Sequence, residues 1–531
     1  MGAALTYTLF TFVAYVVYGF VLSWYTEYRF RQFARLNGCE DPVRNLNKLP
    51  WGIDGLYRVI TAVSHGEDIL DDLVIPAFRA LNAYTTEGTG LFGQKMTTTI
   101  EPRNIQALLA TNFKDFGTGE RRSKQFGALL GYNIFTSDGE FWAHSRAMFR
   151  PLFNREQIND LEETDRASKI LIDVLPKGSD GWTDAFDLMP YFYRFTLDTA
   201  TAFLVGHTTD SQLAAAGRPT GERQQSGITE MAADQEFMDS FTVAQEWLSW
   251  RIRLQGLYWV VQSPRWWKAT ANVRKYVNHY VKMALDQKAR EERSGKRVED
   301  GRRYNLLREL AEECRDPIEL RDQLLGILAA GRDTTAALLS WVFVELARNP
   351  KVYTKLRRVI LEEFGDGSSD LNKPSFSKLK ACGYLQHVIS ETLRLHPPVP
   401  FNNRQAIRNT TLPTGGGPDQ DKPIAIRKGQ IVNFTVYGMQ RRNDLWGEDA
   451  DTFIPERWEG RKMDWSFLPF SGGPRICLGQ QYAITEASFL IVRLLQRFDA
   501  VEWLGETGRI TKAYGLIMYP AKGVPVRFHK A

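Results

Sequence analysis

The stretch Phe470–Gly479 (FSGGPRICLG) places one cysteine on a glycine-bracketed loop, directly before an apolar run from Gln480 to Phe498. A thiolate at Cys477 would face the amide N–H groups and the positive end of the helix that this run predicts. Both stabilise a negative sulfur and lower the pKa of the thiol. Cys477 is therefore a candidate metal ligand, and the alternative is a buried free cysteine at a loop–helix junction.

The residue types around this cysteine form a fixed pattern. Relative to Cys477, phenylalanine stands seven positions before, glycine four before, arginine two before and glycine two after. The pattern resembles the haem-binding loop of the cytochrome P-450 superfamily, the haem-thiolate monooxygenases. The resemblance implies that Cys477 ligates the iron of haem b, that Arg475 binds a haem propionate and that Phe470 forms an apolar wall near the sulfur. It also implies that Gly473 and Gly479 let the backbone approach the flat macrocycle.

The clearest predicted helix runs from Pro317 to Ala347. Asp316 can cap its start, Pro317 suits its first turn and Pro350 follows its end. With about 31 residues it would span roughly 45 Å. A helix this long and apolar on most faces is expected to cross the whole core.

Poor helix formers occupy the middle of this helix, in the segment Ala330–Thr335 (AGRDTT). The hydroxyl of Thr334 can donate to the carbonyl of Ala330, which would distort the helix and open a groove for dioxygen and water. The alternative is a helix kink with a polar packing patch. The segment resembles the superfamily's oxygen-activation motif, which implies that Asp333 and Thr334 relay protons during oxygen activation.

An E-x-x-R pair, Glu391 and Arg394, lies on a predicted helix that ends near His396. Alone it reads as an ordinary surface ion pair. It gains meaning from the later segment Pro455–Trp458 (PERW), because in the superfamily these two regions form a buried Glu–Arg–Arg cluster behind the cysteine loop. The resemblance therefore gives Glu391, Arg394 and Arg457 a structural role.

A W-x-x-x-R pair, Trp142 and Arg146, follows a glycine-containing loop and opens another predicted helix. The alternative is a half-buried tryptophan beside a solvated arginine. The resemblance implies that both residues contact haem propionates, and that Arg404, ten residues beyond Arg394, does the same. Together with Arg475, this gives three cations for two propionates.

Composition and patterning indicate a mainly α fold with a minor β portion, in a single large domain with the long helix at its centre. The chain has 531 residues, of which 43% are hydrophobic, and it shows neither an internal repeat nor a low-complexity linker. Helical patterns dominate from Pro102 to His396. Strand-like patterns lie near Val59 and at Lys95–Thr99, Ile424–Ile431 and Tyr514–Phe528, the last with the turn residues of a hairpin.

The first 26 residues carry no charged side chain, and Ala3–Trp24 is long enough to span a bilayer as a helix. Arg29, Arg31 and Arg35 follow this span, which favours a cytosolic location for the remainder. A cleaved signal peptide, the alternative, would have a basic start and a shorter apolar core. The expected parts are a transmembrane anchor at 1–26, a basic juxtamembrane linker at 27–55 and a haem-thiolate monooxygenase domain at 56–531. By the resemblance, the protein is single-pass in the endoplasmic reticulum membrane.

Charge and cysteine usage argue against other functions. Cys39, Cys314, Cys382 and Cys477 are widely spaced and form no CxxC motif, which argues against zinc fingers and thioredoxin-like chemistry. The net charge is only +5 and no basic run is interleaved with aromatic residues, so nucleic-acid binding is not supported. The expected partners, by the resemblance, are an NADPH-dependent flavoprotein reductase, membrane lipid and an apolar small-molecule substrate.

Within the superfamily, the chain is most similar to the fungal alkane-assimilating monooxygenases. The segments that carry this likeness are 249–255 (SWRIRLQ), Tyr258-Trp259, 396–402 (HPPVPFN) and 415–419 (GGGPD). The likeness implies hydroxylation of a fatty acid, an alkane or a similar lipid chain. It also implies a pocket built from Phe126–Phe135, the helix around Ala330, Val399–Asn402 and Gly515–Met518.

Two other readings of the function stay open at this point. One is a tailoring oxidation of a polyketide or terpenoid in fungal secondary metabolism, since the shape of the pocket decides which carbon is oxidised. The other, more remote, is a haem-thiolate isomerase or a non-enzymatic haem sensor. Asp333 and Thr334 argue against the second reading, because neither protein would need a proton relay.

Overall fold

Helices account for most of the fold in the computed structural model, which describes residues 2–45, 49, 52–153, 160–218, 228–294, 305–368 and 373–531. Among these residues the α-helices are α1 (Gly2–Leu36), α2 (Ile53–Ser64), α3 (Ile75–Leu81), α4 (Pro102–Gln106), α5 (Glu120–Leu130), α6 (Gly139–Phe149), α7 (Glu162–Val174), α8 (Met189–Val205), α9 (Ser211–Ala215), α10 (Ile228–Arg253), α11 (Pro264–Ser294), α12 (Leu306–Glu313), α13 (Pro317–Arg348), α14 (Pro350–Phe364), α15 (Phe376–Ala381), α16 (Gly383–Leu395), α17 (Val436–Met439), α18 (Asn443–Trp446) and α19 (Gln480–Arg497).

Short strands form small separate sheets beside the helices. They are β1 (Val43–Asn45), β2 (Thr85–Thr89), β3 (Lys95–Thr99), β4 (Phe116–Gly117), β5 (Phe186–Asp187), β6 (Phe401–Ala406), β7 (Thr410–Gly416), β8 (Lys422–Ile426), β9 (Ile431–Thr435), β10 (Phe498–Trp503), β11 (Lys512–Tyr514), β12 (Met518–Pro520) and β13 (Pro525–Lys530). The largest sheet has the order β1-β2-β3-β9-β6-β4, a second has the order β10-β13-β5, and β7-β8 and β11-β12 are two-stranded. The prediction of a mainly α fold with a minor β portion is confirmed.

The strand predictions are correct in part. Lys95–Thr99 is β3. The hairpin expected within Tyr514–Phe528 is wrong in its turn, because β11 pairs with β12 across residues 515–517, while β12, which ends at Pro520, and β13, which begins after Gly523, lie in different sheets. The predicted strand near Val59 is wrong, because Val59 lies within α2, where apolar residues recur at helical spacing. Ile424–Ile431 contains the end of β8 and the start of β9 rather than one strand, since the left-handed backbone of Gly429 (φ +86°) turns the chain between them.

The predicted central helix is confirmed as α13, which ends one residue later than expected, at Arg348. The carboxylate of Asp316 accepts a hydrogen bond from the amide of Ile318 at 2.8 Å and caps its start. Most of the helix is buried, and it packs on α8, α11, α16 and α19. α13 is therefore the core element from which the neighbouring segments are positioned.

The N-terminal helix α1 is apolar enough to cross a membrane, and its hydrophobic window from Thr6 is exposed throughout. α13 meets the same criterion of length and hydropathy, but its window is largely buried inside the domain. Past the apolar part, the carboxylate of Glu27 pairs with Arg427, and the Arg427 guanidinium lies 4.4 Å from the ring centroid of Phe30. The helix continues to Leu36, and the domain boundaries expected at residues 26 and 55 stay predictions.

Candidate active site

The cysteine loop rests on the backbone of the segment that follows α4. Gly473 adopts a left-handed backbone (φ +66°), and a Cβ at this position would lie 1.9 Å from the carbonyl oxygen of Leu109. The amide of Cys477 donates to the carbonyl of Phe470 at 3.0 Å and closes the loop. Gly473 is thus required by the protein's own packing, whereas a Cβ on Gly479 would meet no described atom closer than 3.8 Å. The approach of Gly479 to a macrocycle stays a prediction.

The thiol of Cys477 lies in a concave part of the protein. Its side chain is accessible to solvent although protein surrounds it on most sides. This burial raises the pKa of the Cys477 thiol, and the amide of Gly479 and the guanidinium of Arg146 oppose the rise. The expectation that the helix start lowers the pKa of Cys477 is therefore wrong for the thiol alone, because desolvation outweighs it. A metal cation would supply the missing stabilisation of the thiolate.

Three guanidinium groups converge beside this loop. Arg475 donates to Asp138 at 2.6 Å, while Arg404 and Arg122 both donate to the amide oxygen of Asn402, at 3.1 and 2.6 Å. Burial, followed by the like charges of Arg122 and Arg475, lowers the pKa of Arg404 to about 9. Burial also lowers the pKa of Arg475 to about 10, against the opposing carboxylate of Asp138. The cluster holds more positive than negative charge.

The same cluster has unused donors. Among the described residues, the buried Nε atoms of Arg404 and Arg475 have no hydrogen-bond partner. Buried N–H groups and buried like charges are costly unless an anion pairs with them. The residues present therefore fit the two propionates of a haem, and the predicted pairing of Arg404 and Arg475 with those propionates is chemically reasonable here.

The predicted W-x-x-x-R pair supports the loop from the side of α6. The ring centroid of Trp142 lies 4.3 Å from the guanidinium carbon of Arg475. Arg146 donates to the carbonyl of Ile476 at 3.0 Å, one residue before the cysteine. The structure thus places Arg146 on the backbone of the loop, and its contact with a propionate stays a prediction.

On α13, the hydrogen bond predicted between the hydroxyl of Thr334 and the carbonyl of Ala330 is confirmed at 2.7 Å. Within this largely buried helix, Ile327, Ala330, Gly331 and Thr334 form a partly accessible stripe at helical spacing. A Cβ on Gly331 would meet no described atom within 4 Å. The stripe therefore faces open space, and Thr334 is its polar member.

Asp333 points away from this stripe. It is buried, accepts a hydrogen bond from Gln245 of α10 and lies 3.4 Å from the guanidinium of Arg332. Burial raises the pKa of Asp333, against the opposing effects of Arg332 and Gln245. The two residues predicted to relay protons thus lie on different faces of α13, one accessible and one buried.

The structure brings the Glu–Arg–Arg cluster together as the resemblance implies. Glu391 accepts two hydrogen bonds of 2.8 Å from Arg394, and both side chains are fully buried. Arg457 donates to the same carboxylate at 3.4 Å. The side chain of Gln440 donates to the carbonyl of Arg394 at 2.9 Å and accepts from the amide of Leu468, also at 2.9 Å. Through Gln440, the cluster is therefore connected to the segment that leads into the cysteine loop.

Sequence reasoning missed several residues of the site. Asp138 had a local signal, since it directly precedes α6, and it also accepts from the amides of Thr118 and Gly119. Arg122 carries no signal in the sequence. Glu486, nine residues after Cys477, accepts from the hydroxyl of Thr199, and burial raises its pKa to about 8. The signal for Glu486 was that it is the one acidic residue of α19.

The segments expected to line the pocket meet around α13. Asn133 donates to the carbonyl of Asp322 at 3.0 Å, and the amide of Met518 donates to the carbonyl of Pro398 at 2.8 Å. Trp341 of α13 donates to the carbonyl of Met518 at 3.3 Å. The apolar side chains that stay accessible in these segments are Phe135, Val399, Phe401 and Leu516.

Comparison with known proteins agrees with this geometry. The cytochrome P450 family model matches residues 88–523. Cytochrome P450 monooxygenase g430 of Fusarium sp is 42% identical over 97% of this chain and 89% of its own length. Cytochrome P450 52E1 of Candida apicola is 40% identical over 92% and 93%, and cytochrome P450 52A10 of Candida maltosa is 44% identical over 83% of each.

A solved structure supports the fold independently. The crystal structure of the cytochrome P450DA heme domain superposes with a TM-score of 0.71, covering 93% of this chain and 98% of that one at 18% identity. The family model matches most of the chain, and the relatives are 40–44% identical over 83–97% of it. Both findings agree with the cysteine loop and the arginines beside it. The chain belongs to the cytochrome P450 family.

Proposed function

We propose that this cytochrome P450 monooxygenase inserts one oxygen atom of dioxygen into a fatty acid, an alkane or a similar lipid chain. The observation that carries the proposal is that the segments expected to line the pocket keep accessible apolar side chains, namely Phe135, Val399, Phe401 and Leu516. The likeness of segments 249–255 and 396–402 to fungal alkane-assimilating monooxygenases supports the same substrate class.

The residues that would hold the haem are Cys477 at the iron and Arg404 with Arg475 at the propionates. When bound, haem supplies the electron-transfer and dioxygen chemistry of the reaction. Cys477 acts as a thiolate, with the amide of Gly479 directed at its sulfur and Arg146 fixing the carbonyl beside it. These contacts hold the sulfur in position and moderate its negative charge.

Thr334 and Asp333 have different roles in proton delivery: Thr334 donates into the pocket and Asp333 holds the proton. The hydroxyl of Thr334 lies on the accessible stripe and can turn from the carbonyl of Ala330 to donate into the pocket. Asp333, whose pKa is raised by burial, retains a proton more readily than a solvated carboxyl group. Because the two lie on different faces of α13, a proton passes between them through water or through a rotation of the Asp333 side chain.

Electrons and membrane attachment come from outside the catalytic domain. We expect an NADPH-dependent flavoprotein reductase as the electron donor, and attachment to the endoplasmic reticulum membrane through α1 with the catalytic domain in the cytosol. The exposed apolar surface of α1 and the arginines at 29, 31 and 35 support this orientation. Membrane fractionation of the full chain and of a form lacking residues 2–26 tests it, and equal distribution of both forms would contradict it.

A binding-spectrum screen of the purified holoprotein tests the substrate class. Fatty acids and alkanes of graded length are compared with polycyclic polyketides and terpenoids, and products are then identified with a fungal reductase. We expect chain lipids to give a low-to-high-spin shift and a hydroxylated product, since the lining offers apolar contact. A shift and product with polycyclic compounds alone would instead assign the protein to tailoring of secondary metabolites.

A further inference from the structure

Most of the desolvated arginines have a clear role. Arg122, Arg404 and Arg475 belong to the propionate cluster described above. Arg251 donates to three backbone carbonyls, those of Gln125, Val261 and Lys124. The first three are assigned to the haem propionates, and the N–H groups of Arg251 already have hydrogen-bond partners in the backbone.

Arg253, two residues after Arg251, is different. It is the last residue of α10, half-buried, and burial lowers its pKa. Two hydrogen bonds are made by its five N–H groups, to the carbonyl of Tyr514 and to the hydroxyl of Ser249 at 3.4 Å. No carboxylate among the described residues lies within ion-pair distance of Arg253, although the ring centroid of Trp250 is 5.0 Å from its guanidinium carbon. It is a partly desolvated cation with donors to spare.

The contact with Tyr514 places Arg253 at one end of the expected pocket. Tyr514 ends β11, and Met518 begins β12 across the hairpin turn. Met518 is in turn bonded to Trp341 of α13, seven residues beyond Thr334. The hairpin turn 515–517, which carries the accessible side chain of Leu516, therefore connects the cation at Arg253 with the helix that carries Thr334.

We propose that Arg253 binds the carboxylate of a fatty-acid substrate, so that the substrate lies along the β11–β12 hairpin with its far end toward Thr334. A guanidinium fork matches a carboxylate in shape and charge, and the bond is strong where water is partly excluded. This inference rests on the proposed lipid-chain function and deepens it by naming the residue that anchors the carboxylate of an acid substrate. An alkane would leave the Arg253 charge unpaired in a partly buried site.

Binding spectra of the holoenzyme with dodecanoic acid, methyl dodecanoate and dodecane test this assignment, at about pH 7.5, where the acid is ionised. We expect wild-type protein to bind the acid about 10- to 100-fold more tightly than the ester, the range of a charge-assisted hydrogen bond. Arg253→Met is expected to abolish that preference while leaving ester affinity within about twofold, because the apolar lining is untouched. The ester thus reports that the pocket of the variant is folded.

Arg121→Met is the matched control. Burial lowers the pKa of Arg121 as well, but this residue makes no described contact with the hairpin. An acid preference that survives in Arg253→Met, or that is lost in Arg121→Met instead, would overturn the assignment of Arg253. Wild-type protein that binds neither acid, ester nor alkane would contradict the proposed lipid-chain function itself, which is a different result.

A second measurement needs no variant. Products formed by wild-type protein from dodecanoic acid are mapped by the position of the hydroxyl group. Anchoring of the carboxylate predicts hydroxylation confined to the last few carbons, since the anchored end cannot reach the reactive centre. Hydroxylation next to the carboxylate would overturn the proposal.

Discussion

The hydroxyl of Thr334 donates to the carbonyl of Ala330 at 2.7 Å, on the accessible face of α13. The adjacent Asp333 is turned toward Gln245 of α10 and is buried. Of these two consecutive residues, one is partly accessible and the other is enclosed in a polar contact. A proton supplied from the Asp333 side has to cross the helix to reach the pocket through the hydroxyl of Thr334.

Thr334→Ala removes the hydroxyl while keeping a good helix former in α13. We expect the yield of hydroxylated product per NADPH consumed to fall by about tenfold, because general acid groups contribute at least that much to such steps. The missing electrons are expected to appear as hydrogen peroxide, measured beside NADPH oxidation. Thr334→Ser keeps a hydroxyl and should stay coupled. If Thr334→Ala matched wild-type coupling, the proton role of Thr334 would be wrong.

Arg404→Met is expected to have opposite effects with and without haem. In haem-depleted protein it removes a buried cation that the charges of Arg122 and Arg475 destabilise, so the thermal midpoint should rise. In haem-loaded protein it removes a partner of a propionate, so haem transfer to apomyoglobin should accelerate about tenfold or more. Arg408→Met, at an exposed pair with Asp115, is the control and should change neither property. If Arg404→Met changed only one of these properties, the thermal midpoint of the haem-depleted protein or the rate of haem transfer, the assignment of the cluster to the propionates would be contradicted.

Glu391→Gln leaves the fully buried Arg394 without its carboxylate, while Arg457 keeps its pair with Asp449. Breaking a buried ion pair costs about 3–5 kcal/mol, so we expect a large fall in the thermal midpoint of the holoprotein and early loss of haem. Glu456→Gln is the matched control, because the pair of Glu456 with Lys355 is exposed at 37% and 43% and such pairs contribute about 0–1 kcal/mol. Equal destabilisation by both substitutions would show that burial of the cluster does not matter.

Glu486 predicts a specific dependence of stability on pH. Burial raises its pKa to about 8 in the folded protein, from 4.5 as a free group. The folded state therefore holds a proton that the unfolded state releases, and the free energy of unfolding falls as pH rises through this window, by about 1.4 kcal/mol per unit. Glu486→Gln cannot titrate, so its stability relative to wild type should improve between pH 5.5 and pH 8. Parallel pH profiles of the two proteins in denaturant unfolding would contradict the raised pKa.

Features set by short-range geometry were predictable from the sequence. The bond from Thr334 to Ala330 spans one helical turn, and the start and end of α13 follow from Asp316 and Pro350. Each depends on backbone geometry and on side chains a few positions apart, which residue types indicate directly.

Features that depend on tertiary packing were not predictable. Arg122 and Arg404 both donate to the amide oxygen of Asn402, although 282 positions separate the two arginines. No residue type in the sequence indicates that contact. The burial of Asp333 depends on where α10 places Gln245. The pKa of Cys477 was expected in the wrong direction, because the helix start was visible in the sequence while the surrounding protein was not.

The most direct test of the central claim, that Cys477 ligates haem iron, is the absorption spectrum of the reduced, carbon monoxide-bound holoprotein. Wild type is expected to show the red-shifted Soret band of thiolate-ligated haem, and Cys477→Ala should lose that band. Cys382→Ala, which alters a buried thiol outside the site, should keep it. A Cys477→Ala protein that binds haem and retains the red-shifted band would contradict the assignment of Cys477.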